Sequence, residues 1–565
     1  MDSKLLEVVR KHAVKNALEH GKATVGSVAG KVIAEMPSTK NDLKAAMALI
    51  NEQVTKVNFL SREALENEAK GYEYYEKKEE KSGKLELPHC HSGKVVTRFA
   101  PEPSGHPHIG HAKAAWLSRK LADDWQGAMF LRFDDTNPEK ETQEYVDALQ
   151  KDLTWLGVKA DKVQYASDYL PQLYEYAEKL ISSGDAYACS CTKEQIALGR
   201  EKKQACSHRD APPEENLSTF RKMVAGRFKE GEIILRLKGS LSSNNTVMRD
   251  PTIFRVINAP HYRQGEKFKA WPNYDFEVAV TDSLTGVTHA LRSKEYELRD
   301  ELYAFILDKL SLRRPFVYDF SRLNIKGTLL SKRFLRPLID ARKVSGWDDP
   351  RLPTLAGLQR RGLQPEAIKS FVLSFGLSKV ESQPGWTALV TENRKLLDPF
   401  AERRFFVPFP IELTAEDAPE KTVVLKNHPT AAKGARELLA RKKFFIPRSD
   451  AETLAVQDLL RLKDLYTVRI TSVGLKVSAA FVGEGIAAPK TVQWVPADPH
   501  SFSKATVVKP LDLVDEKGAF NDDSLEVIEG ACEKSCDSLA GGSIVQFERF
   551  GFVRKDSEHG YVYVG

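Results

Sequence analysis

One pattern limits what this chain can fold into more than any other. Between residues 94 and 157 short apolar strands alternate with long helices. "GKVVTRFA" reads as a strand, "PEPSGHP" as a turn and "HIGHAKAAWLSRKLADDW" as a helix; "AMFLRFDD" is a second strand and "KETQEYVDALQKDLTWLG" a second helix. Such alternation predicts a parallel, doubly wound sheet, because parallel neighbours need a long crossover to bring the chain back to the same end. Ligands on these sheets sit at the carboxyl ends of the strands. The histidine-rich turn and "DDTNP" at 134–138 both follow strand ends, so they are expected to face one site.

The rest of the chain is organised around that unit. At 565 residues it is too long for one core, and roughly three to five domains are expected. Residues 1–87 read as a helical N-terminal module and linker: "KLLEVVRKHAVKNAL" and "KNDLKAAMALINEQVTKVNFL" space their apolar residues by three and four, and the charged "YYEKKEEKSGKLELP" follows. Residues 88–185 form the first half of the sheet domain and 271–335 the second half. Between them, 186–270 reads as an insertion of Cys-containing turns and mixed strands. Residues 336–402 look helical, and 403–565 turn β-rich, as one or two small barrels. No apolar run approaches the roughly 20 residues of a membrane span, and no signal-peptide core opens the chain, so a cytoplasmic location is expected. The net charge of +6 points only weakly to nucleic acid.

Two clusters carry chemistry. His108 and His111 share a helix face in a first turn, where free N–H groups and the positive dipole end attract phosphate. Gly110 between them would let a flat ligand ring approach the backbone, and Pro107 suits the start of a helix. Spacing alone leaves surface or metal-binding histidines open. Cys189-x-Cys191 and Cys206-x-His208, with fourteen residues between the pairs, offer three thiols and an imidazole, a set that suits tetrahedral Zn²⁺. Four unconnected residues is the other reading. His89-Cys90-His91 reads as solvated linker, and Cys532 and Cys536 as packing or exposed thiols. "KKFFIPR" and the basic residues of the C-terminal half are either a nucleic-acid surface or solvated faces.

"RFAPEPSGHPHIGHAKAA" resembles the signature of class I aminoacyl-tRNA synthetases, with His-Ile-Gly-His unaltered at 108–111 and a lead-in typical of the glutamyl/glutaminyl branch. "TLLSKR" at 328–333 fits the second ATP motif of that family, with Leu329-Leu330 in place of Lys-Met. "LRFDDTNP" at 131–138, "MRDP" at 248–251, "YDF" at 274–276, "GVTHALRSKEYELR" at 286–299 and "FERFGFVRKD" at 547–556 also match, so the resemblance spans nearly the whole chain.

The resemblance implies a multidomain α/β protein. It would have a Rossmann-like catalytic domain with an inserted acceptor-stem-binding domain, a helical N-terminal module, a helical connecting domain and C-terminal β-barrel anticodon-binding domains. That β-rich end matches the archaeal/eukaryotic type. The implied activity is attack of an amino-acid carboxylate on ATP, with Mg²⁺ bridging phosphates, followed by transfer to the 3′ end of a tRNA. His108, His111 and Lys332 would be catalytic. Gly110, Ser331 and Arg333 would join them in binding ATP. Arg98, Glu102, Asp134, Tyr274 and Arg292 would hold the amino acid, Asp134 accepting from its α-ammonium. Glutamyl enzymes of the branch carry arginine at the position of Arg292, and a guanidinium complements a γ-carboxylate bidentately; the alternative for Arg292 is a surface ion pair to Glu295 or Glu297. The implied function is therefore glutamate–tRNA ligase acting on tRNA(Glu) as a monomer, with a structural zinc ion. Charging of tRNA(Gln) with glutamate stays open. The rivals are a glutaminyl enzyme and an inactive tRNA-binding regulatory protein.

Overall fold

The computed structural model describes residues 3–36, 39, 42–69, 71–72 and 83–565. Most of the charged linker, residues 74–82, lies outside them. The chain forms two compact units that divide after residue 83.

Among its described residues the first unit has four helices: α1 (Ser3–His20), α2 (Val25–Glu35), α3 (Leu43–Asn58) and α4 (Arg62–Ala69). The three- and four-residue spacing places Val9, Ala13, Val14 and Ala17 against Ile50, Val54 and Val57 in one core. The Asn58 side chain ties the end of α3 to Ala23, accepting from its N–H at 2.7 Å and donating to its carbonyl at 2.9 Å.

In the second unit β1 (Val96–Phe99), α5 (Ile109–Asp124), β2 (Ala128–Phe133), α6 (Gln143–Trp155), β3 (Lys162–Tyr165) and α7 (Leu170–Ser182) follow the expected alternation. At the start of β2 Gly127 passes Val95 so closely that a Cβ would lie 2.0 Å from its carbonyl oxygen. The chain then makes β4 (Ala186–Cys189), α8 (Lys193–Glu201), α9 (Pro213–Val224), β5 (Ile234–Leu237), β6 (Thr252–Val256) and β7 (Ala270–Pro272), whose strands form one antiparallel sheet in sequence order. It returns through α10 (Tyr274–Leu284), β8 (His289–Ser293), α11 (Asp300–Lys309) and β9 (Phe316–Phe320). The main sheet runs β3-β2-β1-β8-β9 with every neighbouring pair parallel.

Four helices come next: α12 (Lys332–Asp340), α13 (Leu355–Arg361), α14 (Pro365–Ser374) and α15 (Trp386–Leu397). Leu355, Leu358, Ile368, Phe371 and Leu389 share one core with Ile109 and Ala112 of α5 and Leu131 of β2. Most of the region expected as a connecting domain thus thickens the sheet domain.

The β-rich end is two seven-stranded, barrel-like sheets, and one is nested in the other. Residues 402–408 pair with strands of the last sixty residues, while 410–496 form a sheet of their own. Cys90 corrects the reading of 89–91 as solvated linker: it is buried, with Sγ 3.3 Å from Nε2 of His289 on β8. His89 and His91 are exposed. Cys532 and Cys536 are both buried packing thiols.

Candidate active site

The strand order reverses between β1 and β8: β2 and β3 are added on one side, β9 on the other. Beyond the carboxyl ends at this reversal lies a cleft of about 550 Å³, the place where doubly wound sheets bind ligands. Both stretches expected there contribute, the first through Ser104, His108, Gly110 and His111, the second through Asp134, Thr136 and Asn137.

His108 caps α5. Its Nδ1 accepts from the Gly110 N–H at 3.1 Å, and the Nδ1 of His111 accepts from the His108 N–H at 3.1 Å. A backbone N–H can only donate, so each neutral ring carries its proton on Nε2. Burial pushes His111 down to about 4. Burial, with His111 and Arg322 nearby, holds His108 well below its ordinary value. At neutral pH the pair is therefore two uncharged Nε2–H donors with orientations locked by the helix start. Gly110 serves this arrangement: a Cβ there would lie 2.8 Å from Cε1 of His108. The glycine makes room for the histidine ring, and it also lines the cleft, where the sequence places an approaching ligand.

Lys332 opens α12, and its Nζ donates to the Ser104 carbonyl while lying 4.5 Å above the Tyr145 ring. It joins the second motif to the "PSG" turn at the cleft rim. Leu330 lines the cleft; Ser331, which stands at the N-cap of α12, and Arg333, which is exposed, do not. His106 is taken up by packing, stacked on Trp347 at 5.0 Å.

Arg98, Glu102, Asp134, Tyr274 and Arg292 all line the cleft. Arg292 lies on β8 and is only 4% exposed. Its Nη2 donates to Asp300, and its Nε, also buried, has no partner. Neither carboxylate of the surface alternative holds it: Glu295 lies 3.4 Å from Arg322 and Glu297 3.7 Å from Lys379. Below the cleft Arg98 and Arg132 share the Asp282 carboxylate, at 3.1 and 2.7 Å, and Arg132 also donates to Asp134 at 2.7 Å.

The chain matches the family model described as tRNA synthetases class I (E and Q), catalytic domain, over residues 94–399. Models of the anti-codon binding domain of the same family match 401–482 and 491–556. The chain is 41% identical to a glutamate–tRNA ligase of Nitrosopumilus maritimus strain SCM1, with 99% of each chain covered. It is 39% identical to that of Cenarchaeum symbiosum strain A, with 97% of each covered. With the glutamate–tRNA ligase of Pyrococcus abyssi the identity is 40%, over 98% of this chain and 97% of the other. This chain belongs to the class I tRNA synthetases of the E and Q branch.

In this synthetase the insertion brings the predicted metal ligands together. Cys189 ends β4, Cys191 precedes α8, and Cys206 and His208 follow it. Cys189 Sγ is 3.9 Å from both Cys206 Sγ and His208 Nδ1, and Cys191 Sγ is 3.5 Å from that nitrogen. A zinc–sulfur bond of about 2.3 Å gives a tetrahedron with edges of about 3.8 Å, so this spacing can hold one such ion. The environment favours it: Arg236 Nη1 lies 3.9 and 3.7 Å from the sulfurs of Cys189 and Cys206, where it would stabilise thiolates. His208 turns Nε2 to Ser190 at 3.0 Å, leaving Nδ1 for the metal.

Sequence reasoning missed the ionic layer under the cleft: Arg132, Glu277 and Asp282, each fully buried. One signal was present. In "YDFEVAVTD" Glu277 and Asp282 stand on a helix otherwise dominated by apolar residues, and a charge there needs partners.

Proposed function

We propose that this synthetase is a glutamate–tRNA ligase. It activates glutamate with ATP and transfers it to the 3′ end of tRNA(Glu). The observation that carries the choice of glutamate is Arg292: a buried guanidinium at the end of β8, open to the cleft, with an unpartnered Nε. A γ-carboxylate supplies the acceptors that fork lacks, whereas an uncharged amide carries no compensating charge.

ATP enters as its Mg²⁺ complex, the metal offsetting phosphate charge. As the glutamate carboxylate attacks the α-phosphorus and pyrophosphate leaves, negative charge grows on the phosphate oxygens. The Nε2–H groups of His108 and His111 are aligned donors that need no reorganisation to meet it. Being neutral, they donate without first binding a proton. Lys332 adds a full positive charge once its ammonium leaves the Ser104 carbonyl for phosphate. The attacking carboxylate is already ionised at neutral pH, so activation needs no protein base. The zinc site proposed at Cys189, Cys191, Cys206 and His208 would hold the insertion in shape, all four ligands coming from the protein.

Pyrophosphate exchange in the presence of tRNA(Glu) tests the assignment. Exchange is expected with glutamate and not with glutamine; the reverse would overturn the reading. Arg292→Ala is expected to raise the KM for glutamate by about 30-fold or more, from a loss of about 2–5 kcal/mol. An effect below a few-fold would remove Arg292 from the pocket.

A further inference from the structure

Five buried ionisable side chains meet under the cleft: Arg98 of β1, Arg132 of β2, Asp134 just after it, and Glu277 and Asp282 of α10. Arg132 Nε reaches Asp134 at 2.7 Å and Glu277 at 3.7 Å, while Asp282 is held by both arginines. The tyrosines facing this layer bring no charge at neutral pH. Tyr303 of α11 donates to Asp282 at 3.1 Å, Tyr169 before α7 lies near Arg132, and burial raises both phenols and that of Tyr274. Arg292 is engaged with Asp300.

Two guanidiniums thus face three carboxylates, and one negative charge is left over in a region with almost no water contact. Leaving it uncompensated is costly. Two oxygens mark where the missing positive charge belongs: Asp134 Oδ2 and Glu277 Oε2 are both buried without a partner, and both residues line the cleft. Oε1 of Glu277, by contrast, accepts from the Thr281 hydroxyl at 2.7 Å.

We infer that Glu277 binds the amino-acid substrate by exchange: it holds a proton until the α-ammonium of the substrate settles against Asp134 and Glu277, and then gives that proton to solvent. This deepens the glutamate reading and rests on it. Burial, then the neighbouring charge of Asp134, pushes the Glu277 carboxyl up to about 8, which agrees with a proton resident at neutral pH. With the proton in place the layer is neutral; with the ammonium in its stead it is neutral again. A substrate amine in its uncharged form would leave the charge uncompensated, so the layer selects the ammonium form of an α-amino acid.

The test is calorimetric titration of glutamate into the full-length protein with tRNA(Glu) present, in two buffers of different ionisation heat. At pH 7 about one proton is expected to be released per glutamate bound, and distinctly less at pH 9. Glu277→Gln imitates the protonated acid in shape. It is expected to release none, and to raise the KM for glutamate on the order of ten- to a hundredfold. The wild-type measurement stands whether or not the variant folds. Release near zero in the wild type at pH 7, or equal release in both proteins, overturns the inference and leaves the ligase reading intact. A wild type without glutamate-dependent exchange overturns the ligase reading, and the inference with it.

Discussion

His111 shows how one residue links stability to chemistry. The backbone N–H that fixes its tautomer and the burial that keeps it neutral are the same features that aim Nε2–H at the cleft. Its folded-state pKa of about 4 lies below the unfolded value of about 6.5. As pH falls the unfolded chain therefore binds the proton first, and stability is lost progressively from about pH 6.5 towards 4. His111→Asn keeps an acceptor for the His108 N–H but cannot titrate. The gap in urea midpoint between wild type and variant is expected to be constant above pH 7 and to shift in favour of the variant by pH 5. A gap that stays constant to pH 5 would mean that His111 accepts a proton in place. Arg292 was legible as a residue and illegible in its setting. Its type and position pointed to a carboxylate, but the engagement with Asp300 and the burial of an unpartnered Nε beside the cleft depend on β8, β9 and α11 coming together.

Elements place the chemistry. Helix α5 has buried residues on most of its circumference, because it packs between the sheet and α14, and this holds the histidines at the cleft. In the insertion the β4–β5 ladder fixes Cys189, while Cys206 and His208 depend on the path after α8. Arg209 reinforces that path by reaching Asp250 of the "MRDP" turn at 2.8 Å. Metal analysis is expected to find about one zinc per chain in the wild type and almost none in Cys206→Ser. Equal zinc in both would take Cys206 out of the site. Chelation is expected to speed proteolysis within 190–210 while the β4–β7 sheet persists, since Phe220, Phe254 and Trp271 of that region share one core with α7, α10 and α11.

At the scale of the whole molecule the nesting of the C-terminal sheets is the main surprise. Phe406 pairs with Cys532, and Glu402 with Val545, across more than a hundred residues. A buried Glu533 reinforces the joint, 3.3 Å from Arg404 and 2.6 Å from Arg436. Truncation after residue 500 is therefore expected to strip 402–408 of its partners and expose Phe406, seen as lower solubility and rapid proteolysis near 405. A truncated chain as protease-resistant as the full one would disprove that dependence. Local periodicity and turn chemistry were enough to determine the helical first unit, the parallel sheet and its cleft, the histidine helix start and the grouping of Cys189, Cys191, Cys206 and His208, because each rests on near neighbours or on the strand–helix rhythm. Pairing across long separations and the balance of buried charge do not show in local pattern. Which carboxylate meets which arginine, where Cys90 is buried, and which sheet residues 402–408 join depend on elements brought together from distant parts of the chain, so only the tertiary structure decided them.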